Sequence, residues 1–400
     1  MKKWLSRGEE ALMNTYNSFP VVLHSGEGVY VKDIEGKRYL DFVSGIAVNS
    51  LGYGNESFIK SVTNQLHKIC HCSNLYYSQP NIEVAEKLIE LSGLDKVFFC
   101  NSGAEAVEGA LKLARQYGKK YKSTQAAKVI AMENSFHGRT YGALTLTGQK
   151  KYHAGFQPLL DQIQHVPFND YSSLEQAIDD DTCAIFLELI QGEGGINMVD
   201  QDFLEQVRKL CDDKNILLIF DEVQTGIGRT GNWFAFQNFG IKPDIVTCAK
   251  GLGGGFPVGA LIGNEKASRG FSPGEHASTF GGNPLAMSAV KAVLEEVEKE
   301  NILPHVKEVG EYLSYRLNKL KKKYAVIKSV KGIGLIQGIE VSNMKDMKEI
   351  INKVMEEGLL LVNAGPKVIR FVPPLVTTKA QIEEGITILE VALKEVTDGS

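Results

Sequence analysis

The sequence predicts an α/β protein, with a large domain on a mostly parallel sheet flanked by helices and a smaller α+β domain beside it. Three observations predict this. Between residues 97 and 262, short apolar runs alternate with helix-like stretches, the order that produces parallel strands joined by crossover helices. These runs lack period-2 alternation, so they read as strands buried on both faces. From Pro284 the texture changes to long amphipathic stretches with a few scattered strands.

The elements follow in order. Gly28-Val29-Tyr30-Val31-Lys32-Asp33 and Gly36-Lys37-Arg38-Tyr39-Leu40-Asp41 resemble the two arms of a hairpin, in a segment 1–46 expected to pack with the small domain. The large domain is assigned to 47–290. Its strands are expected at Val97–Cys100, Val129–Met132, Ala184–Ile190, Ile216–Phe220, Ile245–Cys248 and Val258–Ile262. An amphipathic stretch through Ala286, Val290, Val293, Leu294 and Val297 links the two domains. The small domain, 291–400, is expected to hold strands around Val326–Val330, Gly334–Val341 and Val368–Val372, and helices around 343–357 and 379–395. Thr378 with Gln381 fits a capping box that opens the last of these helices.

Composition narrows the function. Apolar residues are 43%, charged residues 23% and the net charge is −4, an ordinary globular balance. The basic runs at 119–122 and 319–323 fall in helix-like segments and read as solvated faces, so neither a nucleic-acid nor a membrane partner is expected. The N-terminus meets charge before any apolar core of a secretory signal forms, and no apolar run is long enough to span a bilayer. Six scattered cysteines in mostly apolar surroundings fit reduced thiols and a cytoplasmic location. His67, Cys70, His71 and Cys72 form one cluster of metal-ligand types, but nothing supplies the second half of a zinc motif, and no metal is expected.

In open parallel sheets, ligands bind beyond the carboxyl ends of the strands. The residues just past each apolar run therefore carry the functional reading. After Cys100 comes Asn101-Ser102-Gly103-Ala104-Glu105-Ala106, where small residues at a helix N-terminus let backbone N–H groups approach a phosphate, or where Ser102 simply caps the helix. After Met132 comes Phe136-His137-Gly138-Arg139, an aromatic and an arginine suited to a planar cofactor and a carboxylate, or to plain packing. After Phe220, Asp221 closes a buried strand and needs a partner; a protonated ring nitrogen, a helix N-terminus or a metal would each serve. After Cys248, Lys250 precedes four glycines within residues 251–255. Burial favours its neutral, nucleophilic amine, and the glycines leave room for a bulky adduct. Phosphate cradle, Asp221 and Lys250 point to one pocket, that of pyridoxal phosphate.

With these motifs on the page, the chain resembles the class III (ornithine and acetylornithine type) aminotransferases of PLP fold type I. The resemblance runs from Tyr16 to about Thr378. It is carried by Phe98–Ala106, Phe136–Thr140, Gln191-Gly192-Glu193-Gly194-Gly195, Asp221–Gly231 and Ser278-Thr279-Phe280-Gly281-Gly282-Asn283-Pro284. It implies that Lys250 holds the cofactor's aldehyde, that Asp221 pairs with the ring nitrogen, and that Gln224 lies near the phenolic oxygen. Phe136 stacks on the ring, with His137 among the cofactor contacts. Ser102, Gly103 and Ala104 hold the phosphate, completed by Thr279 from a second subunit, so the resemblance also implies a homodimer with a shared active site.

The substrate contacts it implies are Arg370 for the α-carboxylate of glutamate and 2-oxoglutarate, Arg139 with Tyr16 for the far carboxylate of an acylated diamine, and Ser278 nearby. Glu193 is then a switch that covers Arg370 while an ω-amino substrate is bound. The chain departs from the family pattern at Val107-Glu108, at Glu188-Leu189 and at Gly52-Tyr53-Gly54-Asn55-Glu56, none of them an assigned catalytic group. Ile46, Asn49–Gly52 and Ser73–Tyr76 point to the acetylornithine branch. The expected reaction is transamination of N2-acetylornithine with 2-oxoglutarate in arginine biosynthesis. Ornithine, 4-aminobutyrate or succinylornithine are alternative donors, and glutamate-1-semialdehyde aminomutase is the rival from another reaction class.

Overall fold

A computed structural model describes residues 1–398. Seven strands form the central sheet: β1 (Lys96–Cys100), β2 (Lys128–Met132), β3 (Ile163–Val166), β4 (Thr182–Leu187), β5 (Leu217–Asp221), β6 (Ile245–Cys248) and β7 (Gly259–Gly263), in the order β1-β7-β6-β5-β4-β2-β3. Pairing is parallel except at β7, which runs antiparallel to both β1 and β6.

The missing alternation in the sequence has its cause here. Val129, Ala131, Ala184, Phe186, Leu217 and Ile219 face one core, while Ile130, Met132, Ile185, Leu187, Leu218 and Phe220 face another on the opposite side of the sheet. Each large apolar side chain so buried contributes about 1.5–3 kcal/mol over its exposed state. Helix α1 (Gly103–Tyr121) covers the first face through Val107, Ala110, Leu111 and Ala114. Helix α2 (Pro284–Lys299) covers the second through Ala286, Met287, Val290 and Leu294.

Two expectations need correction. The run Ala184–Ile190 is not one strand. β4 ends at Leu187, and Ile190–Gln191 pairs antiparallel with Asn197–Met198 in a separate ribbon, because the chain leaves the sheet at Glu188 to wrap the ligand end of the molecule. Strand β3 went unforeseen: it is a four-residue edge strand with only Val166 fully buried.

Beyond α2, helix α3 (Ile302–Lys323), helix α4 (Met344–Glu356) and helix α5 (Lys379–Asp398) pack on an antiparallel sheet of β8 (Ile327–Ile333), β9 (Ile336–Val341), β10 (Val362–Ala364) and β11 (Val368–Phe371), in the order β8-β9-β11-β10. Leu313, Leu317, Ile339, Ile350, Phe371 and Ile386 build its core. The N-terminal strands Leu23–Glu27, Tyr30–Asp33 and Arg38–Asp41 form a second small sheet with Leu359–Leu360, and Val29, Leu40 and Phe42 join the same core. Val293 and Val297 of α2 also belong to it, so this helix serves both cores. The capping box at α5 forms as expected: the Thr378 amide donates to Gln381 Oε1 at 2.8 Å and the Gln381 amide to Thr378 Oγ1 at 3.3 Å.

Candidate active site

The carboxyl ends of β1, β2, β4, β5 and β6 converge on one cavity of about 460 Å³. At the end of β1, Ser102 caps α1, its hydroxyl accepting from the Glu105 amide at 3.2 Å. Both alternatives read from the sequence thus share one spot, since the cap leaves the cavity edge to Gly103 and Ala104. Their amides have no partner among the described residues, and they stand at the positive end of a 19-residue helix. Such a terminus favours a phosphate.

At the end of β5, three donors orient Asp221. His137 Nδ1 lies 2.7 Å from Oδ2, while the Val223 amide at 3.0 Å and the Thr247 hydroxyl at 3.3 Å reach Oδ1. Both His137 and Asp221 are buried, and His137 Nε2 has no partner. A carboxylate held this rigidly, with an edge still on the cavity, suits a cationic ring nitrogen. Among the described residues there is no cluster of three or more ligand-type side chains that could hold a metal.

Lys250 follows β6 with φ +43°, in the left-handed region. For a non-glycine residue this costs about 1–3 kcal/mol, held in place by the surrounding fold. Its amine faces the cavity and makes no hydrogen bond or ion pair among the described residues. Burial lowers the amine's pKa below the ordinary lysine value, Arg370 lowers it further, and Glu193 pulls the other way. A larger neutral fraction makes this amine a nucleophile and a proton carrier.

Arg370, on β11 of the small sheet, reaches across to loops of the large one. Its Nη1 pairs with Glu193 Oε1 and donates to the Gly192 carbonyl and to Gln224 Oε1, each at 3.1 Å. Gln224 Nε2 in turn donates to Glu193 at 3.3 Å. Burial pushes the Glu193 carboxyl up, but the Arg370 charge and hydrogen bond outweigh it and hold it below the usual range. A Cβ on Gly192 would stand 2.2 Å from Gln224 Oε1, so any larger residue here would push the Gln224 amide from its place beside Arg370. Arg370 Nε is buried with no partner, a donor left for a ligand.

Phe136 presents its ring to the cavity, and Arg139 lies at the cavity rim, exposed and unpaired. The remaining expected residues are not gathered here. Tyr16 is 84% exposed and outside the cavity lining, and Thr279 is exposed and outside it too. Ser278 adjoins the phosphate cradle instead, its hydroxyl accepting from Asn101 Nδ2 at 3.2 Å and from the Gly281 amide at 3.0 Å.

Three residues at the site carried no assignment from sequence. Thr247 orients Asp221, and Tyr152 touches Arg139. Glu188 lines the cavity, accepting from the Phe136 amide at 3.0 Å and the Gly192 amide at 3.3 Å, which ties the Phe136 segment to the Glu193 loop. Burial, and next the nearby Asp221 charge, raise its pKa well above the ordinary carboxyl value. It follows the end of β4 as Asp221 ends β5, so the strand-end rule could have found it.

The family model of the class-III aminotransferases matches residues 12–393. The chain is a class III aminotransferase. Pyridoxal phosphate is the cofactor of this reaction class, and the helix-end cradle, Asp221 and the free Lys250 amine fit it. The acetylornithine aminotransferase of Caldanaerobacter subterraneus subsp. tengcongensis is 51% identical over 385 residues, 96% of this chain and 98% of that one. In fold, this class III aminotransferase is similar to the ornithine aminotransferase of Toxoplasma gondii ME49, with a TM-score of 0.96 at 31% identity, covering 100% of this chain and 96% of that one. The crystal structure of the acetylornithine aminotransferase of Elizabethkingia anophelis gives a TM-score of 0.88 at 34% identity, covering 98% and 99%. Mixed α/β architecture with a large sheet flanked by helices is thus shared with PLP fold type I structures.

Proposed function

We propose that this class III aminotransferase moves the terminal amino group of N2-acetylornithine to 2-oxoglutarate, yielding N-acetylglutamate 5-semialdehyde and glutamate in arginine biosynthesis. The observation that carries the reading is the Arg370–Glu193 pair. An ω-amino donor brings no carboxylate beside its reacting carbon, so Arg370 needs an anion of its own, and Glu193 provides it. Glutamate does bring one, and it can displace Glu193. A buried arginine left without either partner would be costly. Relatives bearing the acetylornithine aminotransferase name at 45–51% identity support the choice of donor.

Bound pyridoxal phosphate supplies an aldehyde that receives the amino group and a ring that spreads charge from the substrate carbon. The chain's own groups do the rest. Ser102 and the Gly103 and Ala104 amides would hold the phosphate, Phe136 and His137 would adjoin the ring, Asp221 would pair with its nitrogen and Gln224 would lie near its phenolic oxygen. Lys250 Nζ would hold the cofactor's aldehyde and, once freed by a donor amine, would carry the proton from the substrate carbon to the cofactor carbon that bore the aldehyde. Arg139 meets the donor's far carboxylate.

A second copy of the chain completes the site in this reading, bringing Thr279 to the phosphate, while Tyr16 and Ser278 serve the substrate. The exposed Leu75, Tyr76, Tyr77 and Phe280 give such a homodimer an apolar surface to bury. The six thiols are free, which suits a reducing cytoplasm, and no helix among the described residues is long and apolar enough to cross a membrane. The same reading divides the chain at 46/47 and 290/291.

The test is a donor panel with 2-oxoglutarate, following glutamate release from acetylornithine, ornithine, succinylornithine and 4-aminobutyrate side by side. Acetylornithine should give the highest kcat/KM. A higher value for any other donor moves the assignment to that donor.

A further inference from the structure

Arg139 is an exposed arginine at the cavity rim with no ion pair and no hydrogen bond among the described residues, yet its guanidinium is not free. It lies 4.0 Å from the centroid of the Tyr152 ring and 5.5 Å from that of Phe136. The two rings meet edge to face at 5.9 Å. Tyr152 ends a single 3₁₀ turn, Lys150–Tyr152, and does not line the cavity itself. The next residue pins that turn: His153 Nε2 lies 2.7 Å from the Thr147 carbonyl and 3.0 Å from that of Leu144. Leu144 lies in the helix Tyr141–Leu146 and Thr147 is its C-cap, and the helix starts two residues after Arg139. The arginine and the ring that holds it are thus parts of one braced loop.

We propose that Tyr152 is a positioning and specificity-determining residue, whose ring holds the Arg139 guanidinium ready for the far carboxylate of the amino donor. The inference rests on the reading of Arg139 given above. A long side chain at an exposed rim loses rotamer freedom when it binds an anion, and a ring that fixes it beforehand removes part of that loss. Cation–π contact at an exposed site is worth about 0.5–1 kcal/mol, or roughly two- to fivefold in affinity. The Tyr152 hydroxyl has no hydrogen-bond partner among the described residues, so the ring alone acts.

The experiment uses the cofactor-loaded enzyme and two readouts. Calorimetric titration with N-acetylnorvaline, which keeps the carboxylate and lacks the reacting amine, measures binding. Steady-state assays with acetylornithine separate KM from kcat. Tyr152→Leu should weaken N-acetylnorvaline and raise KM about two- to fivefold with kcat nearly unchanged. Tyr152→Phe should restore both, and in an Arg139→Ala background Tyr152→Leu should add nothing. Arg139→Ala with undiminished binding overturns the reading of Arg139 and this inference together. Arg139→Ala that weakens binding while Tyr152→Leu does not overturns only the inference. An equal loss of cofactor affinity in Tyr152→Leu also overturns it, placing the ring's action on Phe136.

Discussion

Lys250 stands in the left-handed region while its amine faces the cavity with no partner, so backbone strain and chemical readiness coincide at one residue. Replacing the side chain separates the two. Lys250→Ala should bind cofactor that borohydride cannot attach to residue 250, and should lose turnover by a hundredfold or more. Lys250→Gly removes the same amine but tolerates φ +43°, so it should be the more stable of the pair by up to about 1 kcal/mol in urea unfolding. Equal stability would show that the backbone there is not strained. Glu222, beside Asp221, gives a pH signature. Burial pushes it up to about 7 despite hydrogen bonds from the Ala235 and Phe236 amides and the Thr225 hydroxyl. The folded state therefore holds a proton that the unfolded state releases near pH 4.3. The stability tied to that proton is full below this value and is lost as pH rises through 7. The thermal midpoint should decline over that window from this group. Glu222→Gln should flatten the decline, while lowering stability overall by about 1–3 kcal/mol because either amide orientation sets a donor against a donor.

At the scale of elements, the end of β1 and the start of α1 are the tightest junction. A Cβ on Gly103 would stand 2.6 Å from Val223 Cγ1, in the segment that follows Asp221. Gly103→Ala should therefore cost about 1–3 kcal/mol and weaken cofactor binding, and Val223→Ala in the same chain should recover much of both. Equilibrium unfolding and cofactor titration of the two variants check this. The junction was legible beforehand because it follows a rule about strand ends, and so were Asp221, Lys250 and the capping box at Thr378. Other features were not. Strand β3 mixes Gln164 and His165 into four residues, so it offers no apolar run to find. That β7 runs antiparallel leaves no trace in composition, since direction is set by the connection and not by the residues. The contact of Thr247 with Asp221 crosses between neighbouring strands and that of Tyr152 with Arg139 closes a loop, and no local pattern announces either. Glu193 and Arg370 were paired by resemblance alone, at positions 177 apart in the chain.

For the molecule as a whole, that pair joins the turn between Ile190–Gln191 and Asn197–Met198 to β11 of the small sheet, and the selectivity proposed above rests on it. Glu193→Gln keeps the size but removes the charge that competes with an incoming carboxylate. It should favour glutamate over acetylornithine in kcat/KM by roughly tenfold, a change of about 1.4 kcal/mol. Unchanged preference would remove Glu193 from the switching role.

Helix α2 presses Val290 and Leu294 into one core and Val293 and Val297 into the other. Melting of either half would strip the other of apolar cover along this shared rod, which couples the two. Scanning calorimetry should therefore record one endotherm, and shaving Val290 or Val293 to alanine should lower the same peak instead of splitting it.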